Sequence, residues 1–168
     1  MIALNKVNLF LFDFDGVMTN NLVYVDQDGK ESVSCNRSDG IAIAALRKLN
    51  KKVYIISTEK NSVVKKRAEK LKVKVLYGVK DKVNSIIKIS KKENISLRET
   101  IFIGNDINDI GAIKECYYSA CPSDSHQLVK KISKIQLKSK GGDGVIRELV
   151  EKIFKLDLQT ILYSDNPK

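Results

Sequence analysis

The chain has 168 residues, enough for one domain with a buried core, and its hydrophobic residues (43%) form no run near the roughly 20 that span a bilayer. It has one histidine, His126, and three cysteines without a CxxC spacing. This excludes a zinc site of several histidines and a two-histidine iron site, and it favours free thiols. Any metal must therefore be held mainly by oxygen ligands, which indicates magnesium.

The net charge of +10 is the composition feature that would favour a nucleic-acid partner. The lysines are scattered through amphipathic segments and are not interleaved with aromatic residues, so we interpret them as solvated helix faces. Such a surface would also steer an anionic substrate towards the protein. The apolar stretch 7–12 is too short for a signal peptide core. We therefore expect a cytoplasmic protein that binds neither membrane nor nucleic acid.

Strand-like and helix-like segments follow one another along the chain. Residues 7–12 form a short apolar run, typical of a strand buried on both faces, and residues 22–35 predict two short strands around the turn pair Asp28-Gly29. The first predicted helix is 39–49, with Ile41, Ala44, Ala45 and Lys48 on one face. Further helices are predicted at 61–71, 82–92, 109–116 and 145–154, and further strands at 53–56, 73–77, 101–103, 118–120 and 135–137.

This order predicts an α/β fold with a single doubly wound, Rossmann-like parallel sheet. We expect one domain over residues 1–162, with 22–35 as a small hairpin flap after the first strand and 163–168 as a loose C-terminal tail. Ligands of such sheets bind beyond the carboxyl ends of the strands. The polar residues that follow the apolar runs should therefore meet at one site. They are Asp13, Asp15, Ser57, Thr58, Asn105, Asp106 and Asp109.

Four local patterns carry the chemistry. Asp13 and Asp15 lie two residues apart at the end of a strand, and two carboxylates this close require a cation or a proton between them. Ser57 and Thr58 precede a helix, where hydroxyl and N–H groups suit phosphate oxygens, although a helix N-cap has the same pattern. Lys82 opens another helix and could neutralise a phosphate. The last pattern is an oxygen-rich loop, Gly104 to Asp109, which is more acidic than a helix cap requires.

Together these patterns resemble the haloacid dehalogenase (HAD) superfamily over nearly the whole chain. The resemblance implies that Asp13 is a nucleophile that forms a phosphoaspartate and that Asp15 is the general acid and base. It also implies that Ser57, with Thr58, and Lys82 hold the phosphoryl group. Mg²⁺ would be bound by the Asp13 carboxylate, the Asp15 carbonyl oxygen and a residue of the acidic loop. Many relatives have Asp where this chain has Asn105, so Asn105 and Asp106 both remain candidate ligands, with Asp109 in support.

The short gap between Asp15 and Ser57 leaves no room for a cap domain. The chain therefore resembles the capless phosphatases of 3-deoxy-2-ulosonic acid phosphates and the related domain associated with acylneuraminate cytidylyltransferases. Three stretches carry this likeness: Arg37 to Gly40, Ser57 to Asn61 followed by Arg67 to Leu71, and Gly141 to Glu148. The resemblance implies a phosphorylated sugar acid as substrate and a homotetramer in which neighbouring subunits close the site.

Glu59 is the position that distinguishes two substrates of this subfamily. Phosphatases of 3-deoxy-D-manno-octulosonate 8-phosphate usually have Arg there, whereas the nonulosonate 9-phosphatases have Glu. In the latter this Glu and the position matching Lys70 are thought to contact the substrate, and Arg37 could pair with its carboxylate. We therefore favour a sialic-acid-type nonulosonate 9-phosphate over the eight-carbon acid. A first-turn helix acid is the competing explanation for Glu59.

Three other classes of protein share some of these features. A receiver domain also phosphorylates an aspartate, but the turn with Asp13 and Asp15 directly after the first strand argues against it. A basic nucleic-acid-binding module would not need these carboxylates. A non-catalytic protein with the same fold is disfavoured by the intact set of acidic, hydroxyl and lysine residues, although Asn105 keeps it open.

Overall fold

The computed structural model describes residues 2–164. Its strands are β1 Leu9–Phe12, β2 Tyr24–Val25, β3 Glu31–Ser32, β4 Lys52–Ile56, β5 Lys74–Leu76, β6 Thr100–Ile103, β7 Tyr118–Cys121 and β8 Ile135–Gln136. Its helices are α1 Arg37–Lys48, α2 Ser62–Leu71, α3 Lys82–Glu93, α4 Ile110–Glu115, α5 Gln127–Ile132, α6 Val145–Glu148 and α7 Leu158–Tyr163. A π-helical segment, Leu149–Ile153, continues α6.

Six strands form one parallel sheet in the order β5-β4-β1-β6-β7-β8, and β2 and β3 pair antiparallel as a separate hairpin. This confirms the predicted doubly wound sheet with a small hairpin after its first strand. The chain moves outwards from β1 in one direction through β4 and β5, then crosses to β6 and moves outwards in the other. The switch point between β1 and β6 is where such sheets bind their ligands.

Alternating side chains of β1 pack on opposite faces of the sheet, as the period of a strand requires. Phe10 and Phe12 belong to a core formed with α1, α2, α6 and α7, whereas Leu9 and Leu11 belong to one formed with α3, α4 and α5. All four side chains are fully buried. The apolar run that predicted the strand is thus explained by helices on both faces.

The predicted buried face of α1 is wrong by one residue. The helix buries Asp39, Ala42, Ile43, Ala45 and Leu46, whereas Ile41 is 38% exposed and Lys48 is also exposed. Both faces have helical spacing, but the true one includes a buried carboxylate. Residues 41–46 are all apolar, so spacing alone does not select between two neighbouring faces of this helix.

Two short helices, α5 and α7, were not predicted from the sequence. The last of them ends at Tyr163, the first residue of the predicted tail, and Ser164 is its C-cap. The rest of the predicted tail, 165–168, lies outside the described residues. Within 2–164, none of the helices has the length and apolar character needed to cross a membrane.

Candidate active site

The site begins where β1 and β6 end side by side. The two strands are in parallel register, with Phe12 opposite Ile103, and the Asp13 N–H donates to the Ile103 carbonyl at 2.9 Å. The Asp13 carboxylate accepts a hydrogen bond from the Phe14 N–H at 2.8 Å. This side chain is therefore fixed at the switch point of the sheet, directly beside the loop that follows β6.

Lys82 joins two buried carboxylates. Its Nζ lies 2.9 Å from Asp13 Oδ1 and 2.6 Å from Asp109 Oδ1, and the three side chains are 3%, 5% and 0% exposed, respectively. Asp81 caps α3 by accepting from the Asn84 N–H, which places Lys82 at the first helical position, facing the strand ends. The sequence predicted that Lys82 belongs to the site, but it did not predict the bond from Lys82 to Asp109.

Burial and the nearby charge of Asp109 raise the pKa of Asp13 well above its usual value, while Lys82 opposes that rise. For Lys82, burial lowers the pKa, but the charges of Asp13 and Asp109 outweigh it and raise the pKa above its usual value. One cation thus serves two buried carboxylates, and the cluster has an excess of negative charge. A further cation would relieve that excess and favour the ionised form of Asp13.

Asp109 also shapes the loop after β6. Its Oδ2 accepts from the Asn105 N–H at 2.9 Å and from the Asp106 N–H at 3.4 Å. A Cβ on Gly104 would lie 2.6 Å from the Asp109 carboxyl carbon, so only glycine fits beneath this carboxylate. The role of Asp109 in this geometry is to hold the lysine and the loop.

A small pocket of about 80 Å³ opens above these groups. It is lined by Asp13, Asp15, Asn21, Thr58, Asn105, Asp106 and Asn108. The polar residues predicted to converge after the strands do so, although Ser57 and Asp109 lie behind the lining. Asn21 and Asn108 were not predicted as lining residues.

The pocket fits a hard divalent cation. Asn105 Oδ1 is buried without a hydrogen-bond partner among the described residues, and it belongs to the lining together with Asp13 and Asp15. Oxygen donors of this kind are those that Mg²⁺ takes. No three His, Cys, Asp or Glu side chains within 2–164 are grouped to hold a metal ion by themselves, so amide and backbone oxygens would have to complete the set.

Gly16 sits directly against Asn105. It has φ +73°, and a Cβ there would lie 1.9 Å from Asn105 Nδ2. The turn that begins here is held by Thr19, whose Oγ1 accepts from the Gly16 and Asn21 N–H groups, both at 3.2 Å. Thr19 was not predicted from the sequence, because its burial and its two bonds depend on the backbone path of the turn.

Asp15 is half-buried, unlike Asp13. Burial raises its pKa, the negative charges of Glu59 and Glu31 add to that effect, and Lys82 and a hydrogen bond from Thr19 oppose it. A carboxyl group with a raised pKa is suited to carrying a proton in acid–base catalysis. The hairpin therefore contributes to the raised pKa of Asp15 through Glu31 on β3. The Glu31 carboxylate is held in place because it accepts from Asn61 Nδ2 at 3.0 Å.

The loop after β4 contains Ser57, Thr58 and Glu59. Ser57 is 1% exposed and its Oγ accepts from the Glu59 N–H at 3.1 Å, whereas Thr58 is exposed and lines the pocket. Glu59 is exposed and folds back on its own loop, where Oε1 accepts from the Lys60 and Asn61 N–H groups at 2.6 and 2.8 Å. Glu59 thus lies before Asn61, the N-cap of α2, and no acidic residue occupies the first turn of that helix, so the competing explanation for Glu59 is wrong.

Arg37 and Lys70 are not part of this pocket. They line a separate groove of about 460 Å³ between α1, α2 and α7, together with Arg47 and Arg67. Arg147 does not line the acidic pocket either, and it pairs with Glu151 at 2.8 Å. Within one chain, therefore, Glu59 is near the acidic pocket and the cationic specificity candidates are not.

The glycine signature near the C-terminus packs on the turn that carries Asp15. The Gly142 N–H donates to the Val17 carbonyl at 3.0 Å, and a Cβ on Gly141 would lie 2.3 Å from the Gly16 carbonyl oxygen. Glycine is required at 141 and 142 because the backbone there lies directly against the turn beside the site.

Comparison with known proteins agrees with this geometry. Residues 48–149 match the model of a family described as haloacid dehalogenase-like hydrolase. The chain is 27% identical over 152 residues to N-acylneuraminate cytidylyltransferase A of Danio rerio, covering 89% of this chain and 35% of that protein. It is 26% identical over 153 residues to the 3-deoxy-D-manno-octulosonate 8-phosphate phosphatase KdsC of Haemophilus influenzae, covering 90% of this chain and 85% of that one. The chain therefore spans about a third of the first relative and most of the second.

Solved structures share the fold. A HAD family hydrolase structure from Streptomyces avermitilis is 34% identical with a TM-score of 0.92, covering 95% of this chain and 92% of that one. The 3-deoxy-D-manno-octulosonate 8-phosphate phosphatase of Moraxella catarrhalis, in complex with magnesium, phosphate and the sugar acid, is 25% identical with a TM-score of 0.86. That match covers 90% of this chain and 88% of the other. Because the family model matches more than half of its residues, this chain belongs to the haloacid dehalogenase-like hydrolases.

Proposed function

We propose that this chain is a magnesium-dependent phosphatase that removes phosphate from a 3-deoxy-2-ulosonic acid phosphate through a phosphoaspartate on Asp13. The observation that carries the proposal is the buried Asp13–Lys82–Asp109 cluster opening onto a pocket of oxygen donors. The KdsC relatives, which are phosphatases of such a sugar acid, support the reaction class. A basic nucleic-acid-binding module would have no use for this arrangement.

The residues divide the reaction between them. The free carboxylate oxygen of Asp13 attacks phosphorus, and the bond between phosphorus and the sugar oxygen breaks. Asp15 gives its proton to the leaving alcohol, which its raised pKa favours. Asp15 then takes a proton from the water that attacks the aspartyl phosphate, which releases inorganic phosphate and restores Asp13. Lys82 neutralises charge on the phosphoryl group, and Ser57 and Thr58 orient its oxygens.

Mg²⁺ would be held by the Asp13 carboxylate, the Asp15 carbonyl oxygen and the unpartnered Asn105 amide oxygen, with Asp106 as the alternative loop ligand. Bound there, the ion supplies positive charge that lets a carboxylate approach a phosphate dianion. The magnesium in the Moraxella relative supports this assignment. A neutral amide in place of a carboxylate predicts weaker binding of the ion.

For specificity we propose a nonulosonate 9-phosphate, with 3-deoxy-D-manno-octulosonate 8-phosphate as the second candidate. Glu59, close enough to Asp15 to raise its pKa, would bind the hydroxyl groups of the longer sugar. The likeness to N-acylneuraminate cytidylyltransferase A favours the nine-carbon acid, whereas the KdsC relatives favour the eight-carbon one.

We propose that residues 1–162 form one cytoplasmic phosphatase domain, with the hairpin as a flap. Arg37 and Lys70 lie outside the acidic pocket of their own chain. We therefore assign them to the site of a neighbouring copy in a homotetramer, where their charges would meet the substrate carboxylate.

The test is phosphate release with Mg²⁺ from a panel of octulosonate 8-phosphate, nonulosonate 9-phosphates, hexose phosphates and nucleotides, with Asp13→Asn as the control. We expect the nine-carbon acid to give the highest kcat/KM. Preference for the eight-carbon acid would keep the mechanism and reject the role of Glu59. The proposed function would be rejected if phosphate were released from neither the eight-carbon nor the nine-carbon acid, or if the Asp13→Asn protein released phosphate.

A further inference from the structure

Asp39 is a buried carboxylate outside the acidic pocket. It lies in the first turn of α1 and is 1% exposed. Its Oδ1 accepts from the Arg147 N–H at 2.9 Å, while its Oδ2 is buried without a partner among the described residues. A buried charge of this kind is costly, so its retention in the core requires an explanation.

The backbone that Asp39 binds is the start of α6. This helix follows Gly144, which has no side chain to cap the free N–H groups, and no side-chain cap hydrogen bond is made at that position. Unsatisfied N–H groups at a buried helix start are unfavourable, and a carboxylate is their best acceptor. Asp39 therefore acts as a cap supplied by a different helix, 108 residues earlier in the chain.

The segment just before α6 contacts the active-site turn. Gly142 donates to the Val17 carbonyl at 3.0 Å, and a Cβ on it would lie 2.5 Å from the Asn20 nitrogen. Because the two backbone segments are in direct contact, a shift of α6 would displace residues 16–20 as well. That turn positions the carbonyl and carboxylate groups of Asp15.

Nearby N–H groups and arginine charges stabilise the ionised form of Asp39, but burial outweighs them. Burial raises the pKa of Asp39 to about 6, whereas the backbone N–H groups of Arg147 and Ile146 and the charges of Arg67 and Arg147 oppose the rise. Arg67 is itself anchored, because its Nη2 donates to the Asn36 carbonyl at 3.0 Å.

From these contacts we propose that Asp39 is a positioning residue for the reaction: by capping α6 it fixes the glycine loop 141–144 against the turn that carries Asp15. The inference rests on the proposed function, since it assigns Asp39 an effect on the acid–base step. It predicts an effect on turnover more than on binding, because the phosphoryl group is bound mainly by Lys82 and the loop after β4.

The experiment compares Asp39→Ala and Asp39→Asn with Asp157→Ala. Asp157 is an exposed residue that caps its own helix, α7, by accepting from the Gln159 and Thr160 N–H groups at 3.0 and 3.2 Å, and it does not line the acidic pocket. Steady-state kinetics with p-nitrophenyl phosphate give kcat and KM, and hydrogen exchange of the protein without substrate gives the protection of residues 16–21.

We expect Asp39→Ala to lower kcat by about tenfold or more with little change in KM, because small displacements of reacting groups are costly. Exchange at 16–21 should rise in the same variant. Asp39→Asn should restore both, since its amide oxygen accepts the same N–H, and Asp157→Ala should change neither. If Asp39→Ala does not fold, Asp39→Glu, which moves the acceptor by one methylene, takes its place with the same expectation.

Unchanged kcat and exchange in the Asp39→Ala protein would overturn the inference. So would an Asp39→Asn protein as impaired as Asp39→Ala, or equal effects in Asp157→Ala. The exchange measurement needs no turnover, so it decides the role of Asp39 even if the wild-type protein hydrolyses none of the tested phosphates and the proposed function fails.

Discussion

Replacing Lys82 with methionine removes the one cation between two buried carboxylates while keeping much of the side-chain length. The lysine Nζ lies 2.9 Å from Asp13 Oδ1 and 2.6 Å from Asp109 Oδ1, and all three side chains are nearly inaccessible to water. Loss of one partner from a buried ion pair costs about 3–5 kcal/mol, because the remaining charge is left without compensation. We expect Lys82→Met to lower the free energy of unfolding by about that amount near neutral pH.

The loss should depend on pH with a definite sign. The pKa of folded Asp13 is already above its usual value, mainly through burial and then the charge of Asp109, and the lysine opposes that rise. Without the lysine the pKa of Asp13 rises further. A group whose pKa is higher in the folded state contributes stability below its unfolded pKa and loses it as the pH rises through its folded pKa. Lys82→Met should therefore cost least in acid and most in mild alkali.

The measurement is urea unfolding in EDTA at about pH 5 and about pH 8, for the wild type, Lys82→Met and the control Lys80→Met, which alters an exposed lysine two residues earlier. Adding Asp109→Asn to Lys82→Met should recover part of the stability at the higher pH, because it removes one of the two unpaired charges, but it should not recover phosphatase activity. A loss below about 1 kcal/mol, or an equal loss at both pH values, would refute the view that this lysine compensates ionised buried carboxylates.

Three further outcomes are expected. Asp13→Asn should abolish phosphate release while leaving the unfolding midpoint close to that of the wild type; an active, folded variant would contradict the nucleophile assignment. Gly16→Ala should lower the melting temperature and activity more than Gly29→Ala, because both glycines have positive φ (+73° and +75°) but only the first would clash with Asn105; equal losses would contradict this. Asn105→Asp should lower the Mg²⁺ concentration for half-maximal activity by about tenfold, as expected when a charged ligand replaces a neutral one; an unchanged titration would assign the loop ligand to Asp106.

Much of the candidate site was predictable because its residues follow buried strands. Asp13 after β1, Ser57 after β4 and Asn105 after β6 each stand at the end of an apolar run, and parallel strands bring their carboxyl ends to one edge. Thr19 and Asn21 were missed because their roles depend on the backbone path of the turn. The predicted face of α1 was wrong because residues 41–46 are all apolar, so the spacing did not distinguish the buried face from its neighbour.

The sequence by itself determined the parallel sheet, the hairpin after its first strand and the identity of the acidic, hydroxyl and lysine groups at the strand ends. These features depend on local periodicity and on short spacings, which a single chain displays directly. Only the tertiary structure decided which polar groups pair. The bond from Lys82 to Asp109 spans 27 residues and that from Arg147 to Asp39 spans 108, and both form because buried donors and acceptors must find partners wherever packing brings them together. The tertiary structure also separated Arg37 and Lys70 from the acidic pocket, because their side of α1 and α2 faces a different groove.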